Sequence, residues 1–512
     1  MRVSVGGSRG RGLVRVLMAA VGVSAALGAA ASTVGASYTP PTCRTLSYHS
    51  APGIYAQRVC MNLGVSTHAT RPGTYLFLTP RDTGEGIYTD TGVLVWWKPR
   101  SANSTEDHDL SVVQLWGHPY LAVWSGHTDS VKTSNDFFIN DGTVLLYNQR
   151  YQQVGAITAG GAFAGDRIDM HEFRITPEGD ALVGIYQPVH KRIHGHREYV
   201  VQYVIQKLSL VKDSSGIHTG RVLFHWNTAK HIPLSASYLP DPGAGSAWDY
   251  FHGNAIAEDT DGNLIVSARN TWTIYKINVK TGRIMWRVGG KGEDQLRTPW
   301  CYQHDVSPLG HNDYSVFDDG AAGPGCFLGL SGHPARGLIF HVNPSTHPAK
   351  VRLVRAYKHK PGITPGFLGS TQQLPNGHVV VGWGNFPEIT EFSADGTRVL
   401  MDLSMSNYSF RGYRFAWDGR PTAPPALAAR LESNGTRLWA SWNGSTEVAG
   451  WRVLVGTTTA GLTSAGAVIK KTGFETAIFL KQREPLVEVQ ALDASGHILA
   501  TSKPVSTMST GG

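Results

Sequence analysis

Charged residues are scarce in this chain of 512 residues, since Asp, Glu, Lys and Arg together make up 16%, against about 25% in a typical globular protein. No long stretch after the N-terminus repeats its apolar residues every 3.6 positions, which argues against a helical architecture. Short runs of Val, Ile, Leu, Trp and Tyr are instead separated by Gly, Asn and Asp, and 59 residues are glycine. The composition therefore predicts an all-β protein, long enough for more than one domain.

A concentrated basic surface is also missing. The formal net charge of +8 includes four arginines at the N-terminus, in a segment without acidic residues, so the rest of the chain carries about +4. These basic residues are scattered, and we therefore expect no nucleic-acid partner. The stretch "GGKGEDQ" lacks the spacing and the Ser or Thr of a phosphate-binding loop, so the sequence gives no sign of a nucleotide site.

The N-terminus is typical of a secretory leader. Four arginines precede or enter a run from Leu13 to Ala31 that is mostly Leu, Val, Ala and Gly, and the small residues Val34 and Ala36 follow. We expect residues 1–36 to be a signal peptide and the mature protein to be secreted, without a membrane span. A membrane anchor is the alternative, but the run is weakly apolar and no second span follows.

Only four cysteines are present, and none of them forms a CxxC motif. An even number in an exported chain favours disulfides, although the sequence alone allows three pairings. We favour Cys43–Cys60 and Cys301–Cys326, because each pair closes one short segment. A zinc site is the alternative, and the missing CxxC spacing argues against it.

Turn dipeptides recur between short apolar strands through most of the chain. They are Asp141-Gly142, Glu178-Gly179, Asp261-Gly262, Asn376-Gly377 and Asp395-Gly396. Several strands end in tryptophan, as in "GRVLFHW" and "TGVLVWW". Such a loose repeat predicts a β-propeller over residues 70–415, with six blades fitting its length, after an irregular N-terminal extension at 37–69. A large sandwich or jelly roll is the alternative.

The composition changes near Arg420, where "RPTAPPALAARL" is typical of a linker. The strands that follow alternate apolar and polar residues at the spacing of a β-sandwich. We predict a fibronectin type III-like domain at 424–506, with Trp442 and Trp451 in its core, and a disordered tail at 507–512. A cell-surface carbohydrate or protein is a candidate partner for this domain.

Polar side chains collect at the ends of the predicted hairpins. His171, His252 and His304 each stand at the start of one, while Asn254 shares a strand face with His252 and Arg269 follows the next strand. A single histidine at such a place is more often a surface residue. Equivalent positions of propeller blades converge on the central channel, however, so we expect these five side chains to line one pocket.

Three imidazoles are suitable ligands for zinc or copper, but the positive charge of Arg269 would repel a cation. The paired N–H donors of its guanidinium instead fit an oxyanion such as sulfate, phosphate or carboxylate. We therefore expect neither a metal nor another cofactor in this pocket.

Several of these motifs occur together in one known family. The segments "DMHEFRITPEGDAL", "FHGNAIAEDTDGNLIVSARN", "GRIMWRVGG", "YQHD", "SVFDDG" and "LGSTQQLPNGHVVVGWG" resemble, in this order, the arylsulfotransferase family, in the branch found in actinobacteria and fungi. The resemblance covers about residues 70–415. It implies a six-bladed propeller that moves a sulfuryl group from a phenolic sulfate ester to a phenolic acceptor, without a nucleotide donor, through a sulfated histidine.

The resemblance also implies roles for single residues. The nucleophile corresponds to His304, the His-x-Asn pair to His252 and Asn254, the arginine to Arg269 and the first histidine to His171. The catalytic set is thus His304, His252, Arg269 and His171, and the substrate-binding set is Asn254 and Arg269.

One position departs from the family pattern. Asp305 stands where the best-known periplasmic members have threonine, and a carboxylate bent back towards His304 would raise the pKa of that imidazole. In an extended strand Asp305 would face away. The alternative function is an extracellular binding or adhesion propeller without turnover, which would need no nucleophile at position 304.

Overall fold

The computed structural model describes residues 47–62, 71, 73–100, 106–131, 137–165, 167–243, 246–291, 300–320 and 333–507, without the side chains of 129–140. Regular structure in these ranges consists of strands and four single-turn 3-10 helices, which are Gly161–Phe163, Thr228–Lys230, Leu234–Ala236 and Thr459–Gly461. The all-β prediction is confirmed. None of the described helices is long and apolar enough to cross a membrane. The predicted signal peptide and residues 508–512 of the predicted tail lie outside the described residues.

The described residues up to Ala416 contain 26 strands. They are β1 (Val59–Met61), β2 (Thr74–Pro80), β3 (Glu85–Tyr88), β4 (Leu94–Lys98), β5 (Glu106–Leu115), β6 (His118–Val131), β7 (Phe137–Tyr147), β8 (Gln153–Ile157), β9 (Phe173–Ile175), β10 (Ala181–Ile193), β11 (His196–Asp213), β12 (Gly216–Asn227), β13 (Ala247–Trp248), β14 (Gly253–Glu258), β15 (Leu264–Ala268), β16 (Thr273–Ile277), β17 (Ile284–Gly289), β18 (His304–Gly310), β19 (Asp313–Asp318), β20 (Arg336–Asn343), β21 (Lys350–Lys358), β22 (Ser370–Gln373), β23 (Val379–Gly382), β24 (Glu388–Phe392), β25 (Val399–Met405) and β26 (Ser409–Ala416).

Twenty-four of these strands form six four-stranded units, while β1 pairs with β25 and β13 pairs with β11. Each of five units is a consecutive run, namely β5–β8, β9–β12, β14–β17, β18–β21 and β22–β25, and the sixth joins β26 to β2, β3 and β4. Because β26 pairs with β2 antiparallel, the start and the end of this region share one sheet. The units β5–β8 and β9–β12 are also linked by a parallel pairing of β8 with β12.

The innermost strand of each unit contacts that of the next. The contacts run from β5 to β9, β14, β18, β22 and β26, and then back to β5, so the six strands close a ring around one axis. Apolar clusters fill the spaces between neighbouring units; in one of them Ala255 and Ile265 pack with Val306 and Tyr314. The channel at the axis is therefore lined by six inner strands that begin at the same end.

Glycine turns join the strands at four of the five predicted dipeptides. Asp261-Gly262 connects β14 to β15, for example, and Gly262 has φ +76°, which favours glycine. The turn predicted at Asp141-Gly142 is wrong, because both residues lie inside β7, where Gly142 pairs with Gly126. A Cβ on Gly142 would come within 2.3 Å of the Trp124 ring, so this glycine makes room for an indole.

Part of the predicted N-terminal extension belongs to a sheet. Strand β1 pairs with β25, in the register Val59 to Met405, and Ile54 and Ala56 are buried in the adjoining core. Cys60 lies in β1, and neither Cys60 nor Cys301 is a free thiol. Cys43 and Cys326 lie outside the described residues, so the two pairings remain predictions.

The C-terminal region has nine strands in two sheets. They are β27 (Ala426–Glu432), β28 (Gly435–Ser441), β29 (Gly450–Gly456), β30 (Thr463–Ser464), β31 (Ile469–Lys470), β32 (Glu475–Leu480), β33 (Leu486–Leu492), β34 (Ile498–Thr501) and β35 (Val505–Ser506). β27, β28 and β32 form one sheet, and the other six strands form the second. Trp451 is fully buried in the core of this unit, and Trp442 packs against that core.

This C-terminal unit contacts the ring of sheets through specific hydrogen bonds. The Asn443 side chain bonds both the N–H and the C=O of Trp97, at 2.9 and 2.8 Å. The Tyr151 hydroxyl donates to the carbonyl of Gly444 at 2.7 Å. The two parts are therefore joined at a polar interface as well as by the chain itself.

Candidate functional site

Three histidines lie where three consecutive inner strands begin. His171 is two residues before β9, His252 immediately precedes β14, and His304 is the first residue of β18. Because the inner strands begin at the same end of the channel, the three imidazoles meet there. The ring centroid of His171 lies 5.0 Å from that of His252 and 6.3 Å from that of His304. One ring nitrogen from each of the three lies within 4.8 Å of the other two.

Each of these imidazoles has its own carboxylate. Nδ1 of His171 is 2.9 Å from Asp169, Nδ1 of His304 is 2.7 Å from Asp319, and Nδ1 of His252 bonds Asp249. Such a bond fixes both the tautomer and the orientation of an imidazole. In all three residues Nε2 is thus the nitrogen left to face the common space.

The proton of His304 can be placed from its neighbours. Nδ1 contacts the backbone carbonyl of Tyr302 at 2.9 Å as well as Asp319. A backbone carbonyl only accepts hydrogen bonds, so Nδ1 carries the proton and Nε2 has a free lone pair. Burial, followed by the charge of Arg269, lowers the pKa of His304 well below its ordinary value. The imidazole is therefore neutral and nucleophilic at neutral pH.

His252 is the more accessible member of the cluster. Its side chain is 22% exposed, against 4% for His171 and 3% for His304. Burial lowers the pKa of His252, and the Asp249 carboxylate opposes this shift. A neutral imidazole on the open side of the site can take a proton from an incoming hydroxyl group.

Irregular backbone, rather than strand alternation, directs these side chains. His252 has φ +53°, and the pairing of β14 with β15 shifts register between Gly253 and Ala255. A Cβ on Gly253 would lie 2.2 Å from the Tyr203 ring, so the chain needs glycine there. Tyr302 also has a positive φ, of +56°. Bulges and left-handed residues of this kind re-aim side chains beside functional sites.

Asn254 supports the segment that carries His304. Its Nδ2 donates to the backbone carbonyl of Gln303 at 2.8 Å, and the residue is fully buried. Gln303 in turn donates to the carbonyls of Ala268 and Thr273. Asn254 therefore positions the backbone next to His304, and its amide N–H binds this backbone rather than an imidazole.

Arg269 lies beside the histidines in a fixed orientation. Its guanidinium sits 4.6 Å from the centre of the Tyr302 ring and donates to Asn270 and to the carbonyl of Gly366. Its backbone N–H donates to the carbonyl of His252 at 2.9 Å. Its charge contributes to lowering the pKa of both His252 and His304, which places it within electrostatic reach of the site.

The Asp305 carboxylate lies away from His304. It accepts hydrogen bonds from the Tyr413 hydroxyl and from the N–H of Thr371, both at 2.9 Å, and pairs with Arg174 at 3.3 Å. The residue has φ +54°, and the β18–β19 register shifts beside it. Asp305 therefore takes part in a separate buried network and does not hold a proton on His304.

That network closes the channel behind the histidines. Arg411, from β26, contacts Asp109 at 3.4 Å, Glu172 at 3.3 Å and the carbonyl of Asn254 at 3.0 Å. Burial raises the pKa of Asp109 to about 7, against the opposing charge of Arg411. A cavity of about 570 Å³, lined by Arg174 and other residues of the inner strands, lies beyond this ionic layer.

Sequence reasoning missed the acidic partners. Asp169 and Asp249 stand two and three positions before their histidines, in "DMH" and "DYFH", so a short His–Asp spacing was a usable signal. Asp319 is fifteen residues after His304 and reaches it only across the β18–β19 hairpin. Arg411 gave no local signal, because its partners are more than 150 residues away in the chain.

Three groups of described side chains have potential metal ligands within 4.8 Å of one another. They are His171 with His252 and His304, Cys301 with Asp318 and His333, and His359 with Glu388 and Asp402.

Comparisons with solved structures give distant likenesses. A protein of unknown function from Bacteroides caccae is 16% identical, with 67% of this chain and 99% of that chain covered and a TM-score of 0.39. A streptogramin B lyase is 10% identical, with 76% and 95% covered and a TM-score of 0.32. A catalytically inactive virginiamycin B lyase from Staphylococcus aureus is 11% identical, with 73% and 93% covered and a TM-score of 0.30. Likenesses this weak carry no argument about function.

A search of curated protein sequences gives no significant match. A family model gives a clear one, since that of the Arylsulfotransferase (ASST) family matches residues 134–405, more than half of the chain. The matched region contains all three histidines and their three carboxylates. This chain is therefore an enzyme of the arylsulfotransferase family.

Proposed function

We propose that this protein moves a sulfuryl group from a phenolic sulfate ester to a phenolic acceptor through a sulfated His304, without a nucleotide donor. The proposal rests on one observation above all: the Nδ1 proton of His304 is held by Asp319 and by the carbonyl of Tyr302. The lone pair of Nε2 is thereby kept free inside a cluster of imidazoles. Family membership supports aryl sulfate esters as the substrate class.

In the first half-reaction, Nε2 of His304 attacks the sulfur atom. The N–S bond forms, the bond from sulfur to the phenolic oxygen breaks, and its electron pair leaves on the phenolate. The imidazole ring then carries positive charge, which the Asp319 carboxylate stabilises across the Nδ1 hydrogen bond. The charge of Arg269 acts on His304, and its guanidinium can stabilise the charge on the sulfuryl oxygens, which grows in a loose transition state.

In the second half-reaction, an acceptor phenol takes the place of the departed phenol. Its oxygen attacks sulfur while its proton passes to Nε2 of His252, the most exposed of the three imidazoles. The N–S bond breaks and the electron pair returns to Nε2 of His304. Asp249 stabilises the protonated His252, and this proton can protonate a departing phenolate in the next cycle. His171, held by Asp169, completes the wall of the site.

We also propose that the closed ring of six four-stranded units is a six-bladed β-propeller. The closure of one unit by strands from both ends of the region supports this interpretation. We propose further that the C-terminal sandwich is a fibronectin type III-like domain, that the protein is secreted after loss of residues 1–36, and that Cys43–Cys60 and Cys301–Cys326 are its disulfides. The arginine-rich leader and the absence of free thiols at Cys60 and Cys301 support the last two proposals.

Steady-state kinetics test the proposal. Purified mature protein with p-nitrophenyl sulfate should release nitrophenolate faster when phenol is added, with parallel lines in double-reciprocal plots, because the donor product leaves before the acceptor binds. His304→Ala should abolish turnover.

His341→Ala is the matched control, since His341 also bonds an aspartate, Asp313 at 2.8 Å, but lies in β20 away from the cluster. Full activity in His304→Ala would exclude the mechanism. A folded wild-type protein that releases no phenolate from any phenolic sulfate would instead favour a binding propeller.

A further inference from the structure

The histidine cluster has a second chemical property, which depends only on its geometry. His171, His252 and His304 each bond a carboxylate through Nδ1. A carboxylate behind each imidazole is the arrangement that supports metal-ligating histidines, because it fixes the tautomer and makes Nε2 more basic. Three such lone pairs directed at one space resemble a tridentate metal site with an open fourth position.

The distances suit a small transition-metal ion. One ring nitrogen from each histidine lies within 4.8 Å of the other two, so some point lies within about 2.8 Å of all three nitrogens. Zinc binds imidazole nitrogen at about 2.0–2.1 Å. Each ring therefore needs to move inwards by about 0.7 Å at most, which a small side-chain rotation provides.

The other two groups of potential ligands lack this property. His359 has both nitrogens engaged, Nδ1 with the carbonyl of Pro361 and Nε2 with Glu388, each at 2.6 Å. Cys301 is not a free thiol. Among the described residues with ligand atoms this close together, the histidine cluster alone offers three free nitrogen lone pairs.

Arg269 is not the only ionisable group close to the three imidazoles. Three carboxylates stand behind the imidazoles, whereas the guanidinium of Arg269 is held over Tyr302 and by Asn270 and Gly366. The repulsion expected from the sequence is thus set against three carboxyl groups that sequence analysis did not place. Neutral nitrogen ligands favour zinc, cobalt, nickel and copper over magnesium and calcium.

We propose that His171, His252 and His304 bind one divalent transition-metal ion of the zinc class through Nε2, and that the bound ion blocks sulfuryl transfer at His304. Binding follows from the geometry alone. The inhibition rests on the proposed function, because it requires Nε2 of His304 to be the attacking atom.

Metal binding without substrate tests the inference. Chelator-treated protein titrated with cobalt(II) chloride should develop the visible absorption of a four-coordinate site, saturating at one ion per chain, and zinc chloride should displace the cobalt. His171→Ala and His304→Ala should remove the signal, while His341→Ala should keep it. Asp169→Asn, which leaves every ligand in place, should weaken binding about 10–100-fold.

The outcomes separate the two proposals. No cobalt spectrum and no retained zinc in the wild type would overturn the site, as would unchanged binding in His304→Ala. If an alanine variant does not fold, the affinity of Asp169→Asn decides, and an unchanged value contradicts the inference. In an active protein, zinc should stop phenolate release reversibly, whereas magnesium at the same concentration should not. Metal binding by a protein without transferase activity would leave the metal site standing and remove the proposed function.

Discussion

His304 donates its Nδ1 proton to Asp319 across 2.7 Å, and both side chains are buried. Burial raises the pKa of Asp319 well above its ordinary value, so this carboxylate is costly to keep ionised in the absence of a nearby positive charge. A positively charged sulfated imidazole would supply that charge. The pair therefore interacts more strongly as positive charge develops on the imidazole, and an interaction that strengthens from the ground state to the transition state speeds the reaction.

Asp319→Asn tests the importance of this carboxylate. The amide can still accept a hydrogen bond from His304 but carries no charge, so transfer to His304 should slow by about 10²-fold or more while the fold is retained. Rapid mixing with a chromogenic aryl sulfate measures the first turnover directly. Asp313→Asn, at the His341 pair, is the control and should change the rate little. A first turnover of wild-type speed in Asp319→Asn would show that the charge is not used.

Arg269→Lys tests the fork of the guanidinium. Lysine keeps the positive charge but loses the planar contact with Tyr302 and the paired N–H donors. We expect turnover to fall by about 10–10²-fold with a nearly unchanged melting temperature, as measured by initial rates and circular dichroism. A variant as active as the wild type would show that charge alone is sufficient.

His359→Gln tests a buried contact far from the channel. Burial lowers the pKa of His359, but the hydrogen bond to Glu388 and other contacts outweigh this effect, so that the pKa is raised above its ordinary value. Because the folded-state pKa is raised, the stabilisation is fully present below the unfolded pKa, near 6.5, and is lost as pH rises through the folded value.

The difference in free energy of unfolding between wild type and His359→Gln should thus be about 1–3 kcal/mol at pH 5 and should shrink at alkaline pH. Denaturant unfolding at several pH values measures it. A difference that grows with pH would contradict the assigned sign.

The linker and the polar interface together predict the result of limited proteolysis. Cleavage near Pro421–Pro425 should leave two folded fragments, as the sequence predicts for separate domains. The bonds from Asn443 to Trp97 and from Tyr151 to Gly444 should keep them together during gel filtration. Tyr151→Phe should weaken this association, by about 1 kcal/mol. Fragments that separate immediately after cleavage would show that the interface contributes little.

Local patterns in the sequence predicted the all-β class of fold. They also predicted that three histidines lie close together. Turn dipeptides such as Asp261-Gly262 mark hairpins, because a positive φ favours glycine and the flanking strands are apolar. Asp141-Gly142 did not mark a turn, because Gly142 lies inside a strand where the Trp124 ring leaves no room for a larger side chain. Sequence patterns do not distinguish these two uses of glycine.

The environment of the site depended on long-range structure. From the sequence, the direction of the His252 side chain could be predicted only from strand alternation. In the structure, this direction is set by the positive φ of His252 and by the register shift that begins at Gly253. Asp319 reaches His304 through hairpin register, and Arg411 reaches Asn254 through closure of the ring of sheets. Contacts of this kind arise only once the chain has folded, so neither spacing nor composition indicates them.

Peptide mass spectrometry can detect a sulfated His304 as a covalent adduct. Protein mixed with p-nitrophenyl sulfate and quenched before an acceptor is added should carry the mass of one SO₃ group on the peptide containing His304. The added mass should disappear when phenol is supplied, should be absent from His304→Ala and should be present in His341→Ala. An active wild-type enzyme whose His304 peptide never gains this mass, or gains it on another residue, would contradict the account.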